Sequence, residues 1–472
     1  MMTLQRHYTP LLPPIDVAAG NLHRHIQEVR PGDILVTWAH GTQLDEICTQ
    51  ALRAQASAIV CEHRPSVDYP SDRVHVVENA RKAFALMSGV RHGMPPPQPL
   101  VGVTGTDGKT SVVHCISHCL GDQAASVGSL GMRCGVLYED TGHTSPPSDV
   151  LHRFLAQLPP QCPGVAMEIS SHAAHQERCA GLPLRGLAFT GLGHDHLDYH
   201  GSMRAYRDAK LQTVSLLAPG AWLVVNADDA HAVDFIRAAR GITDTIVELG
   251  VRRGDALLRR REAGWSLLFA GQHYHLALPQ AAAHQAWNAA AGALLAHACG
   301  IPLPQAFARI GSCPPVPGRL ERLADNPITY VDYACTPEAV RRVVACLRQR
   351  YPQRRLVVVF GCGGNRDKGK RGPMGDAAAE ADYAIITNDN PRDEDPQAIA
   401  DAIRADMGQQ PGERMSIILD RRQAIDHARV QAGHDGVVAV LGKGHETVQI
   451  IGDQRIAWSD RDYIAGLQGA VS

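Results

Sequence analysis

One stretch constrains the fold of this chain more than any other. An apolar run, Leu100-Val101-Gly102-Val103-Thr104, opens into Gly105-Thr106-Asp107-Gly108-Lys109-Thr110-Ser111, and an apolar helical pattern, Val112 to Leu120, follows at once. A strand that feeds a glycine loop and then a helix start aims backbone N–H groups and the positive end of a helix dipole at one spot, where phosphate oxygens bind. Lys109 is placed to reach the β- and γ-phosphates and the Thr110 hydroxyl to ligate Mg²⁺. The spacing departs from G-x-x-x-x-G-K-[ST]: it is short counted from Gly105 and one residue long counted from Gly102. With strand, Gly-Lys-Thr and helix in order, a nucleotide loop is the reading, over an ordinary strand-to-helix turn.

The rest of the chain divides around that loop. At 472 residues, about three domains of ~150 residues are expected. Met94-Pro95-Pro96-Pro97-Gln98-Pro99 cannot continue a helix or a central strand, so it reads as a linker, and Pro314-Pro315-Val316-Pro317-Gly318 marks a second boundary. Three units are therefore expected, 1–96, 97–315 and 316–472. In the first, Asp33–Thr37 and Ala58–Cys61 read as short buried strands around a helix from Leu44 to Ala56. In the second, Ala166–Ile169, Gly186–Thr190 and Trp222–Asn226 are strands separated by helical patterns to about residue 313, which argues for a mostly parallel sheet covered on both faces. The third repeats this α/β logic with Arg355–Phe360, Tyr383–Thr387 and Val437–Leu441.

Composition excludes several classes. Lys+Arg (46) nearly balance Asp+Glu (48) for a formal charge of −2, which argues against a strongly basic nucleic-acid binder. Apolar residues at 44% and charged residues at 20% suit a folded chain and not a disordered one. No apolar run is long enough to span a membrane, and Met1–Arg6 lacks the layout of a secretory signal. The 12 cysteines are scattered with no C-x-x-C pair, and Cys115 and Cys119 read as small buried residues on one helix face rather than zinc ligands. A reducing cytoplasm is the expected compartment.

A second constellation suits a metal. Glu168 closes one strand and Asp195-His196 follow the next, so a carboxylate and an imidazole should project from the carboxyl ends of neighbouring parallel strands toward the phosphate loop.

These segments together resemble a known family. The Gly-Thr-Asp-Gly-Lys-Thr loop, Met167-Glu168-Ile169-Ser170-Ser171-His172, Asp195-His196-Leu197-Asp198-Tyr199-His200-Gly201 and Pro317-Gly318-Arg319-Leu320-Glu321-Arg322 look like the Mur ligases. Val331-Asp332-Tyr333-Ala334, Phe360 to Asp367, Asp389-Asn390-Pro391-Arg392 and Gly442-Lys443-Gly444-His445-Glu446 narrow the resemblance to the MurE type, which adds the third amino acid of the peptidoglycan stem. The resemblance runs in order from about residue 100 to the C-terminus and is weak over 1–96. It implies a three-domain α/β ligase: an N-terminal unit for the UDP-sugar end of the acceptor, a central P-loop sheet for ATP, and a Rossmann-like C-terminal domain for the incoming amino acid. It implies phosphorylation of a carboxylate by ATP, with Mg²⁺, and attack of an amine on the resulting acyl phosphate. A cytoplasmic monomer acting on small molecules is implied, with no nucleic acid and no membrane insertion.

Residue by residue, the resemblance assigns Mg²⁺ to Thr110, Glu168, His196 and Lys210, the last as a carbamate. Lys109, His196 and Lys210 are implied as catalytic. Gly105 to Ser111, with Asn288, Arg319 and Asp332, would hold the nucleotide. Thr144, Ser145, Ser170, Gln176 and Arg178 would meet the peptide end of the acceptor. Arg366, Asn390 and Arg392 would grip the far carboxylate of meso-diaminopimelate, and Gly442 and Glu446 its far amine, with Asp389 also among the substrate-binding residues; two guanidiniums and one carboxylate are the right charges for a zwitterionic side chain.

The sequence also departs from the family pattern. His25-Ile26-Gln27-Glu28 stands where a serine-bearing UDP contact is usual, and Thr37 to Gln43 lacks the usual pattern. His143, Gly191, His194, Gln285 and Cys335 each replace a different usual residue. Three readings follow: the housekeeping ligase acting on UDP-N-acetylmuramoyl-L-alanyl-D-glutamate, a paralogue with another, non-UDP carboxylate acceptor, and a catalytically silent binding subunit. The intact set Lys109, Thr110, Glu168, His196 and Lys210 argues against the last, because a scaffold has no physical need of it.

Overall fold

The computed structural model describes residues 12–93, 96–406 and 414–469, so the expectations placed on Met1–Arg6 and on Met94-Pro95 of the linker lie outside the described residues. A first sheet holds Leu22–His23, Ile34–Val36, Ala58–Cys61 and Val74–Val76, all parallel and in chain order. The helix expected from Leu44 instead starts at Gly41, straight after His40 in extended backbone, and ends at Arg53. Its buried stripe, Leu44, Cys48 and Ala51, has the spacing of one helix face and packs on Leu35, Ile59 and Cys61.

The second sheet has eleven strands. Seven pair in parallel, in the order Ala256–Arg261, Ile246–Gly250, Leu217–Asn226, Leu184–Phe189, Leu100–Thr104, Val165–Glu168, Ala125–Gly128. Antiparallel strands extend both ends. The expected alternation of strand and helix therefore fails between Ile246 and Leu276, where four strands follow one another without a helix. There the pattern is half-exposed, as in Arg259-Arg260-Arg261, and suits hairpins wetted on one face.

The unbroken apolar run of the loop strand has a simple cause. Val101 and Val103 enter the core under the helices Lys109–Leu120 and Ala283–Ala298, while Leu100 faces the opposite core with Met167, Leu187 and Phe189. Each such buried aliphatic contributes roughly 1.5–3 kcal/mol, which fixes the strand that carries the loop. Cys115 and Cys119 are buried on that first helix. It lies tight on the alanine-rich second one: a Cβ added at Gly292 would sit 2.5 Å from the Cys115 Cβ.

The third sheet runs Glu321–Asp325, Ile328–Asp332, Val437–Leu441, Leu356–Phe360, Tyr383–Ile386, Met415–Ile417, with only the first pair antiparallel. Asp332 ends one of its parallel strands, and Gly442, Gly361 and the 387–392 segment follow the carboxyl ends of others, the edge where open α/β sheets place ligands. A hairpin, Val448–Ile451 with Gln454–Ala457, closes over this edge, and the Arg392 N–H donates to Ile450 O at 3.1 Å.

Candidate active site

A cavity of about 680 Å³ opens at the phosphate loop, and Lys109, Thr110, Glu168, His196, Asn288, Arg319 and Asp332 all line it. Gly108 starts the loop helix with φ +88°, a conformation that costs glycine little and other residues more. A Cβ there would lie 2.8 Å from Asn288 Oδ1, so glycine also lets Asn288 reach the loop.

Two lysines converge on one carbonyl. Lys109 Nζ donates to Gly105 O at 2.9 Å and Thr106 O at 2.8 Å, and Lys210 Nζ donates to the same Gly105 O at 2.7 Å. Lys210 is 1% exposed, so it is not the solvated helix-surface lysine that a charge on a helix would otherwise suggest. Burial pushes its ammonium well below the usual lysine range, and the Lys109 charge pushes it further. The Lys109 ammonium, the loop N–H groups and the helix start together make an anion-seeking pocket.

Glu168 and His196 flank the loop. Contrary to the expectation from the sequence, their strands are not direct neighbours: the loop strand Leu100–Thr104 lies between them, so the two side chains approach the loop from opposite sides. The Glu168 carboxylate is 1% exposed and accepts from Ser129 N at 2.8 Å. His196 sits at φ +56° and caps the short helix Leu197–His200. Burial holds its imidazole down at about 4 against the pull of Asp195, so at neutral pH it is the uncharged form. Lys210 lies behind the loop and not among the side chains that line the cavity.

The residues expected at the nucleotide, Asn288, Arg319 and Asp332, line the same cavity. Arg319 Nη2 donates to Thr110 Oγ1 at 3.0 Å, its guanidinium lies 4.4 Å over the Tyr333 ring, and its buried Nη1 has no partner. Its guanidinium therefore stands beside the loop threonine. Asp332 accepts Leu320 N and Ala334 N, at 2.6 and 2.7 Å, and burial raises its carboxyl to about 6. Asp107 pairs with Arg342.

The acceptor residues form one chain of hydrogen bonds. Ser145 Oγ donates to Glu168 O at 2.8 Å and accepts Ser170 N at 3.0 Å. Arg178 Nη1 donates to Ser145 O at 2.6 Å, and its Nη2 donates to Gln176 Oε1 at 2.8 Å. Thr144 Oγ1 accepts from Ser129 Oγ at 3.2 Å, which links this chain to Glu168.

On the third sheet, Arg392 and Arg366 come together. A Cβ at Gly363 would lie 2.9 Å from Arg392 Nη1 and 3.6 Å from Arg366 Cγ. Burial, then the Arg366 charge, pushes the Arg392 guanidinium below its usual range. Asn390 is less free than expected. Its Nδ2 donates to Glu446 Oε2 at 3.0 Å, and its Oδ1 accepts Lys443 Nζ and Ile450 N at 3.1 and 3.0 Å, so it holds Glu446 in place. Asp389 faces Gly442 closely enough to bar a Cβ there, and burial raises its carboxyl.

Several contacts were not read from the sequence. Lys443, 0% exposed, pairs with Glu446 at 2.8 Å; its place inside Gly-Lys-Gly-His-Glu was the available signal. His194, one of the departures, meets Asp367 Oδ2 at 2.9 Å, and Lys370 meets Asp195 at 3.4 Å. These two pairs tie the loop bearing Arg366 to the loop bearing His196. Ser129, the partner of Glu168, carried no sequence signal.

Comparison with known proteins gives the family. The family model described as "Mur ligase middle domain" matches residues 103–296, and "Mur ligase, glutamate ligase domain" matches 318–444. A UDP-N-acetylmuramoyl-L-alanyl-D-glutamate–2,6-diaminopimelate ligase of Alkalilimnicola ehrlichii is 36% identical over 99% of this chain and 98% of its own length. One of the same name from Mesorhizobium japonicum is 37% identical over 95% of this chain and 94% of its own. Among solved structures, a ligase of that name superposes with a TM-score of 0.66 at 28% identity, covering 96% of this chain and 95% of that one. MurF of Thermotoga maritima, solved with ADP, shares the fold at a TM-score of 0.58 and 19% identity, over 90% and 94% of the two chains. The chain belongs to the Mur ligase family and falls with its MurE-type members.

Proposed function

We propose that this protein is an ATP-dependent amide ligase that adds meso-diaminopimelate to UDP-N-acetylmuramoyl-L-alanyl-D-glutamate during peptidoglycan precursor synthesis. The observation that carries the reading is that Arg392 and Arg366 both border Gly363, with the charges of Arg366 and Glu446 acting on the Arg392 guanidinium. Two like charges held together need an anion between them, and the far carboxylate of diaminopimelate supplies it while the far amine meets Glu446. Lysine has no such carboxylate. Full-length relatedness to ligases with this substrate name supports the same acceptor. The altered stretch around His25–Glu28 keeps the reading of a different carboxylate acceptor as the alternative to test beside it.

In this reading the units 1–96, 97–315 and 316–472 hold the acceptor's UDP end, ATP and the amino acid. A carboxylate and a triphosphate repel, so the reaction begins with neutralisation. Lys109 leaves the Gly105 and Thr106 carbonyls for the phosphates, while loop N–H groups and Arg319 Nη1 donate to phosphate oxygens. The acceptor carboxylate attacks the γ-phosphorus, ADP leaves, and an acyl phosphate forms. The amine of diaminopimelate then attacks the acyl carbon, phosphate leaves with its electron pair, and the amine proton is lost. The Thr144, Ser145, Ser170 and Arg178 network holds the acceptor's peptide end beside Glu168. His194–Asp367 and Lys370–Asp195 bring the amino-acid loop to it, and proximity of this kind is a major part of the rate.

The donors also fit Mg²⁺. Glu168 is a buried carboxylate whose hydrogen bonds come from neutral Ser129, and the Thr110 hydroxyl lines the same cavity, which is the oxygen chemistry this ion takes. Thr110 and Glu168 would hold it with the neutral His196, and the ion would supply positive charge for the phosphates. Lys210 would join only as a carbamate, and its depressed ammonium favours the free amine that captures carbon dioxide. No helix among the described residues is long and apolar enough to cross a membrane, and we place the reaction in the cytoplasm, carried out by a monomer. The test is phosphate release from the purified protein with ATP and diaminopimelate, offering the UDP-linked and the bare dipeptide side by side. Preference for the bare dipeptide selects the alternative acceptor.

A further inference from the structure

The first sheet carries a metal-ligating cluster that none of the residue roles assigned above accounts for. Strands Ile34–Val36 and Ala58–Cys61 are parallel neighbours, with Val36 beside Val60. His40 lies just past the end of the first, and Glu62 and His63 follow the second directly. All three therefore stand at carboxyl ends of adjacent parallel strands, the crevice edge of an α/β sheet. Their ligand atoms lie within 4.8 Å of one another, the sole such trio of His, Cys, Asp or Glu among the described residues. The two imidazole rings are 4.9 Å apart and tilted by 54°, so they converge instead of stacking.

The surroundings hold the donors ready. Glu62 Oε1 accepts Ala80 N at 2.9 Å, at the start of helix Ala80–Arg91, which orients the carboxylate and leaves its other oxygen. His40 starts helix Gly41–Arg53 in extended backbone and spends no side-chain hydrogen bond on capping it. His40 and His63 are exposed, so an ion can enter from solvent and keep a position open toward it.

We infer that His40, Glu62 and His63 form a divalent transition-metal site of the zinc class, separate from the Mg²⁺ donors at the phosphate loop. Two imidazoles and one carboxylate are a donor set that zinc takes with a fourth position left to water or an anion. Two nitrogen donors also disfavour Mg²⁺ and Ca²⁺, which seek oxygen. Tetrahedral bonds of about 2.0–2.1 Å put donors about 3.4 Å apart, so small side-chain rotations close the present spacing. None of the three residues lines the nucleotide cavity, so metal binding here is read apart from phosphate transfer.

The experiment is calorimetric titration of the metal-free, full-length protein with Zn²⁺ in the presence of excess Mg²⁺, beside His40→Ala, His63→Ala and Glu62→Gln. The wild type is expected to bind one equivalent more than either histidine variant, or the same equivalent at least ~100-fold more tightly, since loss of a mere outer-shell partner already costs ~10–100-fold. Glu62→Gln keeps an acceptor for Ala80 N and should weaken Zn²⁺ without altering the far-ultraviolet circular dichroism. Co²⁺ loaded in place of Zn²⁺ should give a visible absorption band that His63→Ala abolishes. Equal stoichiometry and affinity in all four proteins, or a Co²⁺ band unchanged by His63→Ala, would overturn the assignment whatever the ligase activity.

Discussion

Replacing Arg392 by alanine tests the amino-acid pocket most sharply. Arg392 Nη1 now donates to Gly364 O at 2.8 Å and Asn390 O at 3.3 Å, while Arg366 lies across Gly363 with no bond shorter than 3.5 Å to Asn365 O. A hydrogen bond to a charged group contributes about 1.5–3 kcal/mol. At 1.36 kcal/mol per decade, its loss raises the KM for diaminopimelate about 10- to 150-fold. The KM for ATP should stay within about two-fold, because Arg392 does not line the nucleotide cavity. Arg366→Ala should give a similar KM effect with little structural cost, within about 0.5 kcal/mol, as for other exposed substitutions. Its removal also relieves the like-charge pressure that depresses Arg392. If both guanidiniums hold one carboxylate, the double variant should lose less than the product of the two single losses. The assay is initial-rate phosphate release with each substrate varied in turn. Equal rises in both KM values, or fully multiplicative losses, would refute the shared-carboxylate reasoning.

Other consequences follow from the same geometry. Lys109→Ala should abolish phosphate release with every acceptor, because the Lys109 charge is the one poised at the loop carbonyls, and a single-turnover assay would show any residual transfer. His194→Ala removes the contact with Asp367, worth about 0.5–1.5 kcal/mol, so kcat/KM for diaminopimelate should fall roughly 2- to 12-fold while nucleotide binding, read by calorimetry, is unchanged. Asp332 has a carboxyl raised from 3.8 to about 6 by burial. Its contribution to stability is therefore full below pH 3.8 and is lost as pH rises to about 6. Urea unfolding across that window should show the decline in wild type and a flatter profile in Asp332→Asn.

The sequence made the loop strand, the loop and its helix readable because an unbroken apolar run ends in a glycine, a lysine and a threonine in fixed order. The helix at Lys109–Leu120 and the strand at Leu100–Thr104 follow from that local signal, and Val437–Leu441 from its own unbroken apolar run. What pattern could not reach was order across the sheet. Nothing local says that Leu100–Thr104 inserts between the strands of Glu168 and His196, and that insertion decides how the two side chains meet the loop. Burial was equally hidden. Lys210 sits on a helix with charged neighbours, Arg207 and Asp208, yet it is enclosed because the helix lays that side under Gly105. The partners of Asn390 and Arg319, Lys443 and Thr110, come from distant parts of the chain, and no local pattern announces them. The exposed hairpins between Ile246 and Leu276 went unread because short alternating strands carry a weak signal beside long apolar ones.

The central claim is that one crevice activates an acid with ATP and couples it to an amine bearing a second carboxylate. The direct measurement is phosphate release with ATP, UDP-N-acetylmuramoyl-L-alanyl-D-glutamate and either meso-diaminopimelate or lysine, with the product weighed by mass spectrometry. The account predicts one phosphate released per amide formed with diaminopimelate, and little release when either the acceptor or diaminopimelate is omitted or when lysine takes its place. Equal turnover with lysine, or release that ignores the amino acid, would contradict it.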